Sequence, residues 1–140
     1  MSKVAVVYWS GTGNTLAMAK AVEEGAKNAG ADVTVLGPSD FDKDKVEQFD
    51  AIAFGCPAMG AEALEEQEFE PMFAQVEGVL SGKRIALFGS YGWGDGQWMR
   101  EWEERCKTAG AKLADDPVIA NNSPDPNVLD ECRSLGRGLA

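Results

Sequence analysis

Val4-Ala5-Val6-Val7-Tyr8-Trp9, followed at once by Ser10-Gly11-Thr12-Gly13-Asn14-Thr15, is the stretch on which the fold turns. The first six residues are apolar or aromatic at every position. A strand half exposed to water would alternate, so this run is expected to be covered on both faces. The next six are Gly, Ser, Thr and Asn, residues that turn a chain and cap a helix. After them Leu16, Ala19, Val22, Ala26 and Ala29 follow helical spacing, and Gly30 stands where that helix is expected to stop. A strand, a tight Gly-rich loop and a helix in this order begin a βαβ unit.

Working outward, the same alternation recurs. Val33–Leu36, Ala51–Gly55, Arg84–Gly89 and, less purely, Lys112–Ala120 are further apolar runs, giving five strands with helical stretches between them. Trp98, Trp102 and Cys106 share one helical face, Gly110 closes that helix, and residues 126–139 supply the last one. Strands this uniformly apolar belong to a parallel sheet with helices on both sides, an α/β fold of three layers. No repeat or linker interrupts the 140 residues, so a single domain over residues 1–140 is expected.

Composition removes several classes of function. Thirteen basic against 23 acidic residues leave a net charge of −10, which repels phosphate backbones and anionic lipid and so speaks against nucleic-acid or membrane partners. The chain has no histidine, which excludes Ser-His-Asp and Cys-His hydrolysis and most catalytic zinc sites. Cys56, Cys106 and Cys132 are odd in number, far apart and without a CxxC pair; neither a disulfide framework nor a cysteine-ligated cluster fits, and no metal site is expected. With no signal segment and no long apolar run, the expected compartment is a reducing cytoplasm.

The Ser10–Thr15 loop lies where helix-terminal amides and the helix dipole create an anion site. Its glycines allow close backbone approach, and the hydroxyls of Ser10, Thr12 and Thr15 add neutral donors. A triphosphate loop would carry a Lys, which is absent, and the third glycine of a dinucleotide fingerprint is replaced by Leu16. A monophosphate ester is the better ligand; the competing reading is a turn that merely caps the helix. In a doubly wound sheet the loops after the first, third and fourth strands converge beyond the strands' carboxyl ends. The second of these is Cys56-Pro57-Ala58-Met59-Gly60-Ala61-Glu62, and the third is Ser90-Tyr91-Gly92-Trp93-Gly94-Asp95-Gly96. Trp93 lies between two glycines with no amphipathic helix to carry it into a core, which suits a stacking platform. A flat ring on a phosphorylated chain would satisfy all three loops.

With these residues in place the chain resembles the short-chain flavodoxins, electron carriers that bind flavin mononucleotide (FMN), over essentially its whole length. Ser10–Thr15 is similar to the family's phosphate loop, Met59–Glu62 to the loop beside flavin N5, and Tyr91–Trp93 to the second ring-flanking loop. The insertion that long-chain members carry in the fifth strand is missing. The resemblance implies strand order 2-1-3-4-5 and a low-potential one-electron carrier working between semiquinone and hydroquinone, with no substrate turnover of its own. It implies that Ser10, Thr12, Asn14 and Thr15, with the backbone of Gly11 and Gly13, hold the phosphate and ribityl chain. Pro57, Ala58, Ser90 and Gly92 belong to the ring-flanking loops. Met59 and Trp93, or Tyr91 in place of Trp93, would flank the isoalloxazine, and Glu62 would accept from N3–H. The Gly60 carbonyl would rotate toward N5 as the semiquinone gains its proton. Ala61 departs from the pattern, since relatives often carry an acid or another polar residue there.

Between Ala51 and Gly82, Glu62, Glu65, Glu66, Glu68, Glu70 and Glu77 are a marked acidic bias, and the simplest expectation for them is a solvated face. Glu62, Glu65, Glu66 and Asp95 are the candidates for lowering the flavin's second couple and for steering a basic redox partner to a monomeric carrier. Cys56 has no neighbouring cation to lower its pKa, so a small buried hydrophobe is expected rather than a reactive thiol. An FMN-dependent NAD(P)H:quinone reductase is the alternative function, disfavoured because no loop is long enough to enclose a second substrate. A phosphoryl receiver lacks its acids at Trp9 and Gly55-Cys56, and a low-molecular-weight phosphatase lacks its Cys and Arg at Ser10 and Leu16.

Overall fold

The structure, a computed structural model, describes residues 2–60 and 62–140. Strands β1 (Lys3–Tyr8), β2 (Asp32–Leu36), β3 (Ala51–Gly55) and β4 (Arg84–Tyr91) form the body of the sheet, with all pairings parallel. Two shorter strands, β5 (Lys112–Leu113) and β6 (Val118–Asn121), follow. The order is β2-β1-β3-β4-β5, as expected, with β6 also paired to β4.

One boundary differs from the sequence reading. The single fifth run over residues 112–120 is two strands lying end to end along β4: β5 pairs with Arg84 and Ile85, and β6 with Phe88 to Tyr91. Asp115-Asp116-Pro117 separates them. Proline has no amide to donate to a ladder, and the two exposed aspartates favour water over the sheet.

Side chains of β1 alternate between the two faces, which explains why the run is apolar throughout. Val4 and Val6 point into one core with α1 (Asn14–Asn28) and α5 (Pro126–Arg137). Ala5 and Val7 point into the other, with α2 (Lys43–Val46), α3 (Phe69–Glu77) and α4 (Gln97–Thr108). The buried face of α1 is Thr15, Met18, Ala19, Val22 and Ala26; Leu16 is half-buried and Ala29 exposed, so the helix is rotated slightly from the expected face. Gly30 ends it with the left-handed φ of 96°, and the Ala31 amide closes back on the Ala26 carbonyl. Trp98, Trp102 and Cys106 are buried as expected. Helix α5 begins with Asp125 accepting from the Val128 amide at 2.9 Å and Pro126 in the first turn.

Helices α1 and α5 touch through glycine. A Cβ on Gly25 would overlap the Arg133 carbonyl, and one on Gly136 the Val22 carbonyl. This close approach anchors α1, whose first turn forms one wall of the site.

Candidate functional site

The loop from β1 to α1 is organised by Ser10. Its Oγ accepts from the amides of Gly13 and Leu16, each at 3.2 Å, which satisfies two of the helix's orphan donors. Ser10 therefore does cap the helix. Gly13, immediately before α1, has φ 98°, a conformation that a side chain would oppose. The amides of Thr12, Asn14 and Thr15 make no hydrogen bond to another described residue and crown the helix's positive end. Thr15 lies beneath them, buried, its hydroxyl 2.9 Å from that of Ser90, which ties the cradle to the end of β4. An uncharged cradle of this kind suits an anionic phosphate ester.

The other loops are brought alongside by ladder bonds that run on past the strands. Trp9 donates to the Gly55 carbonyl, Cys56 to Phe88, Ala58 to Ser90, and Asn122 to Tyr91 at 2.7 Å. Beside the cradle they enclose a cleft of about 210 Å³. Gly11, Thr12 and Asn14 line one wall, Pro57, Ala58 and Met59 another, and Ser90, Tyr91 and Gly92 a third. Two lining residues, Trp9 and Asn122, are not among the site residues expected from the sequence. Trp9 is the last residue before the cradle, and Asn122 lies in the loop after β6, the fourth loop at the strands' carboxyl ends. The doubly wound geometry that singled out three loops also covers that one. Asn122 takes φ 61° there, and its neighbour Ser123 reaches Asn14 Oδ1 at 3.5 Å.

Met59 and Trp93 are large and exposed, Trp93 at 71%. Trp93 does not line the cleft, whereas Tyr91 does and is already engaged, its ring tilted against Trp98 at 5.3 Å. Met59 also begins a turn closed by two backbone bonds, Met59 to the Ala63 carbonyl at 2.7 Å and Ala63 to the Met59 carbonyl at 3.0 Å. Within it Gly60 has φ 52° and Glu62 φ 54°; the expectation for Ala61 lies outside the described residues. Gly60 faces a neighbouring hollow shared with Trp9, Met59 and Glu65. A left-handed glutamate is strained, and such strain is retained where the surroundings over-determine it.

Glu62 lies apart from the cleft proper, under the loop after β4: a Cβ on Gly94 would come within 2.5 Å of its Oε1. That oxygen is buried and has no partner among the described residues. A buried carboxylate oxygen without a donor is costly. A ligand N–H would relieve it, and this acceptor together with the phosphate cradle fits a ring that carries an N–H group on a phosphorylated chain.

The acidic run is only in part the solvated face expected from the sequence: Glu66 and Glu68 are exposed, while the other four are half-buried or buried. Glu65 is buried at the start of α3 and accepts from the amides of Gln67, Glu68 and Phe69 at 2.7 to 2.8 Å. Burial alone would raise its pKa; the three amides outweigh it and hold the carboxyl below the usual range. Glu68 accepts from Trp9 Nε1 at 2.7 Å. Glu70 and Glu77 both clasp Arg105, whose guanidinium also lies over Phe73. Glu66 is exposed, and Asp95 is exposed but paired with Arg100 at 3.0 Å. The Glu70 bond leads in raising the Arg105 pKa against its burial, so the guanidinium that joins α3 to α4 stays charged. Cys56 is buried, with burial pushing its thiol up to about 12, as expected of a packing residue.

Fold and site together define a doubly wound α/β protein whose first loop is an anion cradle opening onto a narrow cleft. A family model described as flavodoxin matches residues 6–136. A flavodoxin of Clostridium beijerinckii is 46% identical over 135 residues, covering 96% of this chain and 97% of the relative. A flavodoxin of Megasphaera elsdenii is 46% identical over 137 residues, 98% of each. The solution structure of the two-electron reduced M. elsdenii protein superposes with a TM-score of 0.89 over 97% of each chain. The chain belongs to the flavodoxin family, whose members bind FMN and carry electrons. No helix among the described residues is long and apolar enough to cross a membrane.

Proposed function

We propose that this protein is a low-potential one-electron carrier that works between the one- and two-electron-reduced forms of bound FMN and exchanges electrons with basic redox partners. The observation that carries the reading is the uncharged cradle at the start of α1 opening onto the cleft, together with one buried Glu62 oxygen that has no partner among the described residues. Bound FMN supplies the redox chemistry, taking and releasing electrons at its isoalloxazine ring.

The chain's residues would then divide the work. The free amides of Thr12, Asn14 and Thr15, with the Thr12 hydroxyl and the Asn14 side chain, hold the phosphate and ribityl chain; Ser10 and Thr15 keep that loop in shape from below. Met59 supports one face of the ring, and Trp93, exposed on the loop after β4, the other. Glu62 accepts from N3–H. Gly60, already at positive φ in a turn clamped at both ends, can present its carbonyl to a proton on N5 by rotating one peptide.

Electrostatics sets the direction of the potential. The net charge of −10 would disfavour adding negative charge to a bound ring. At an effective dielectric of about 20, each unit charge about 10 Å away disfavours that step by about 1.7 kcal/mol before salt screening. For a one-electron couple that is roughly 70 mV. Glu62, next to the ring in this reading, and Glu65, held ionised, both act in this sense.

Stepwise anaerobic reduction followed by absorption tests the proposal. A yellow protein that develops a long-wavelength band at half-reduction and loses it at full reduction is the expected result. Folded protein that stays colourless with micromolar FMN would overturn it, and sustained NAD(P)H oxidation with a quinone would favour a reductase instead.

A further inference from the structure

Trp9 is half-buried, and its amide donates to the Gly55 carbonyl at 3.0 Å, which fixes its backbone to the end of β3. Its indole reaches two places at once. The six-membered edge abuts the phosphate loop: a Cβ on Gly11 would come within 3.1 Å of Trp9 Cη2 and 3.2 Å of Cζ3. The five-membered end points the other way, and its Nε1–H donates to Glu68 Oε2 at 2.7 Å. The ring therefore spans from the first glycine of the cradle to the start of α3.

Both ends of this span are informative. Gly11 and Thr12, at the tip of the loop, make no backbone hydrogen bond to another described residue; the bonds from Ser10 that shape the loop reach only Gly13 and Leu16. The packing of Trp9 thus backs a part of the loop that hydrogen bonds leave unsupported. Glu68 stands immediately before α3, where a side chain ordinarily caps its own helix, yet it makes no such bond and turns to the indole instead. Trp9 and Met59 are also the two residues that border both the cleft and the hollow beside Gly60, whereas Glu68 lines neither.

We propose that Glu68 is a positioning residue for FMN binding: its side chain fixes the Trp9 indole, and the fixed indole holds Gly11 and the phosphate loop in their binding shape before the ligand arrives. A loop already held in its bound form costs less to order on association. Without its acceptor the indole is free to change rotamer and leave Gly11 unbacked. The inference rests on the flavin reading of the cleft and adds to the site an acid that does not touch it.

FMN affinity, read by quenching of flavin fluorescence, tests it. Glu68→Ala removes the acceptor and is expected to weaken binding about fivefold, within the range of one net hydrogen bond. Glu68→Gln keeps a side-chain oxygen for the indole and is expected to stay within about twofold of the unmutated protein. In a Trp9→Phe background the step to Glu68→Ala is expected to change affinity by less than about twofold, because the donor is already gone. Solvent exchange of the Trp9 indole proton in the apoprotein is a second readout, independent of that background: it should quicken in Glu68→Ala and be largely restored in Glu68→Gln. Equal weakening with and without the indole would assign Glu68 to helix α3 alone. Tighter binding in both Glu68 variants would mean that only its charge acts on the anionic ligand, and unchanged affinity and exchange in Glu68→Ala would remove the link; each of these overturns the proposal. Failure of the unmutated protein to bind FMN is a separate result that defeats the flavin reading itself.

Discussion

Glu65→Gln is expected to destabilise the protein by about 3 kcal/mol at neutral pH and by almost nothing in acid. Oε1 of Glu65 accepts from the amides of Glu68 and Phe69, both at 2.8 Å, and Oε2 from that of Gln67 at 2.7 Å. Glutamine keeps one oxygen for the first pair but turns an NH₂ group toward the Gln67 amide. A hydrogen bond to a charged group, as this part-buried amide makes, contributes about 1.5–3 kcal/mol. Losing the negative charge at the start of α3 costs about 0.3–1 kcal/mol more. The pH dependence follows from the direction of the pKa shift. The folded-state pKa lies below the unfolded one, so the contribution is complete above the ordinary Glu value of about 4.3 and disappears as pH falls through the depressed folded value. Below that point wild-type Glu65 is protonated and resembles the variant. Urea denaturation of the apoprotein from pH 7 down to about pH 3, with the m-value unchanged between the two proteins, measures the difference directly. A stability gap that stays constant over the whole range would refute the assignment of a charged carboxylate to this cap.

Four other expectations concern the fold and the site. Gly25→Ala forces a Cβ into the Arg133 carbonyl and should cost about 1–3 kcal/mol in denaturant melts by separating α1 from α5; an unchanged midpoint would contradict that contact. Ser10→Ala leaves the Gly13 and Leu16 amides uncapped, so about 1 kcal/mol of stability should go, along with part of the FMN affinity, both read on one preparation by melting and flavin titration. Gly60→Val meets no neighbour but opposes the positive φ; bound FMN should remain while the half-reduced band in anaerobic titration diminishes, and an undiminished band would dismiss the peptide rotation. Stopped-flow electron transfer with a basic partner should slow as salt rises, given the net charge of −10, and a rate indifferent to salt would count against steering.

Several features were legible from residues a few positions apart. The uniformly apolar β1 run announced a strand covered on both sides, and Val4 and Val6 do face one core while Ala5 and Val7 face the other. The Gly-rich loop lies between β1 and α1, and Gly30 and Gly110 both end helices at positive φ. Such signals are local, because backbone conformation and helix capping depend on neighbours within about one turn. The family resemblance carried by the Ser10–Thr15 loop and the two ring-flanking loops supplied the order in which the strands lie.

What remained hidden depended on partners distant in sequence. Six glutamates in an interval without Lys or Arg looked like a solvated face, yet Arg105 clasps Glu70 from 35 positions away and Trp9 reaches Glu68 across 59. Glu65, just ahead of α3, folds over the amides of Gln67, Glu68 and Phe69 and leaves the surface. The Asn122 loop entered the site only because β6 pairs with the outer half of β4, after Pro117 had broken the fifth strand in two. The sequence alone determined where strands, turns and an anion cradle would form, since those follow from side-chain pattern and backbone freedom over short spans. Only the tertiary structure decided which acids are spent on arginine, indole or amide partners and left one oxygen of Glu62 buried without a partner among the described residues, because a charge's partner is chosen by packing between elements far apart along the chain.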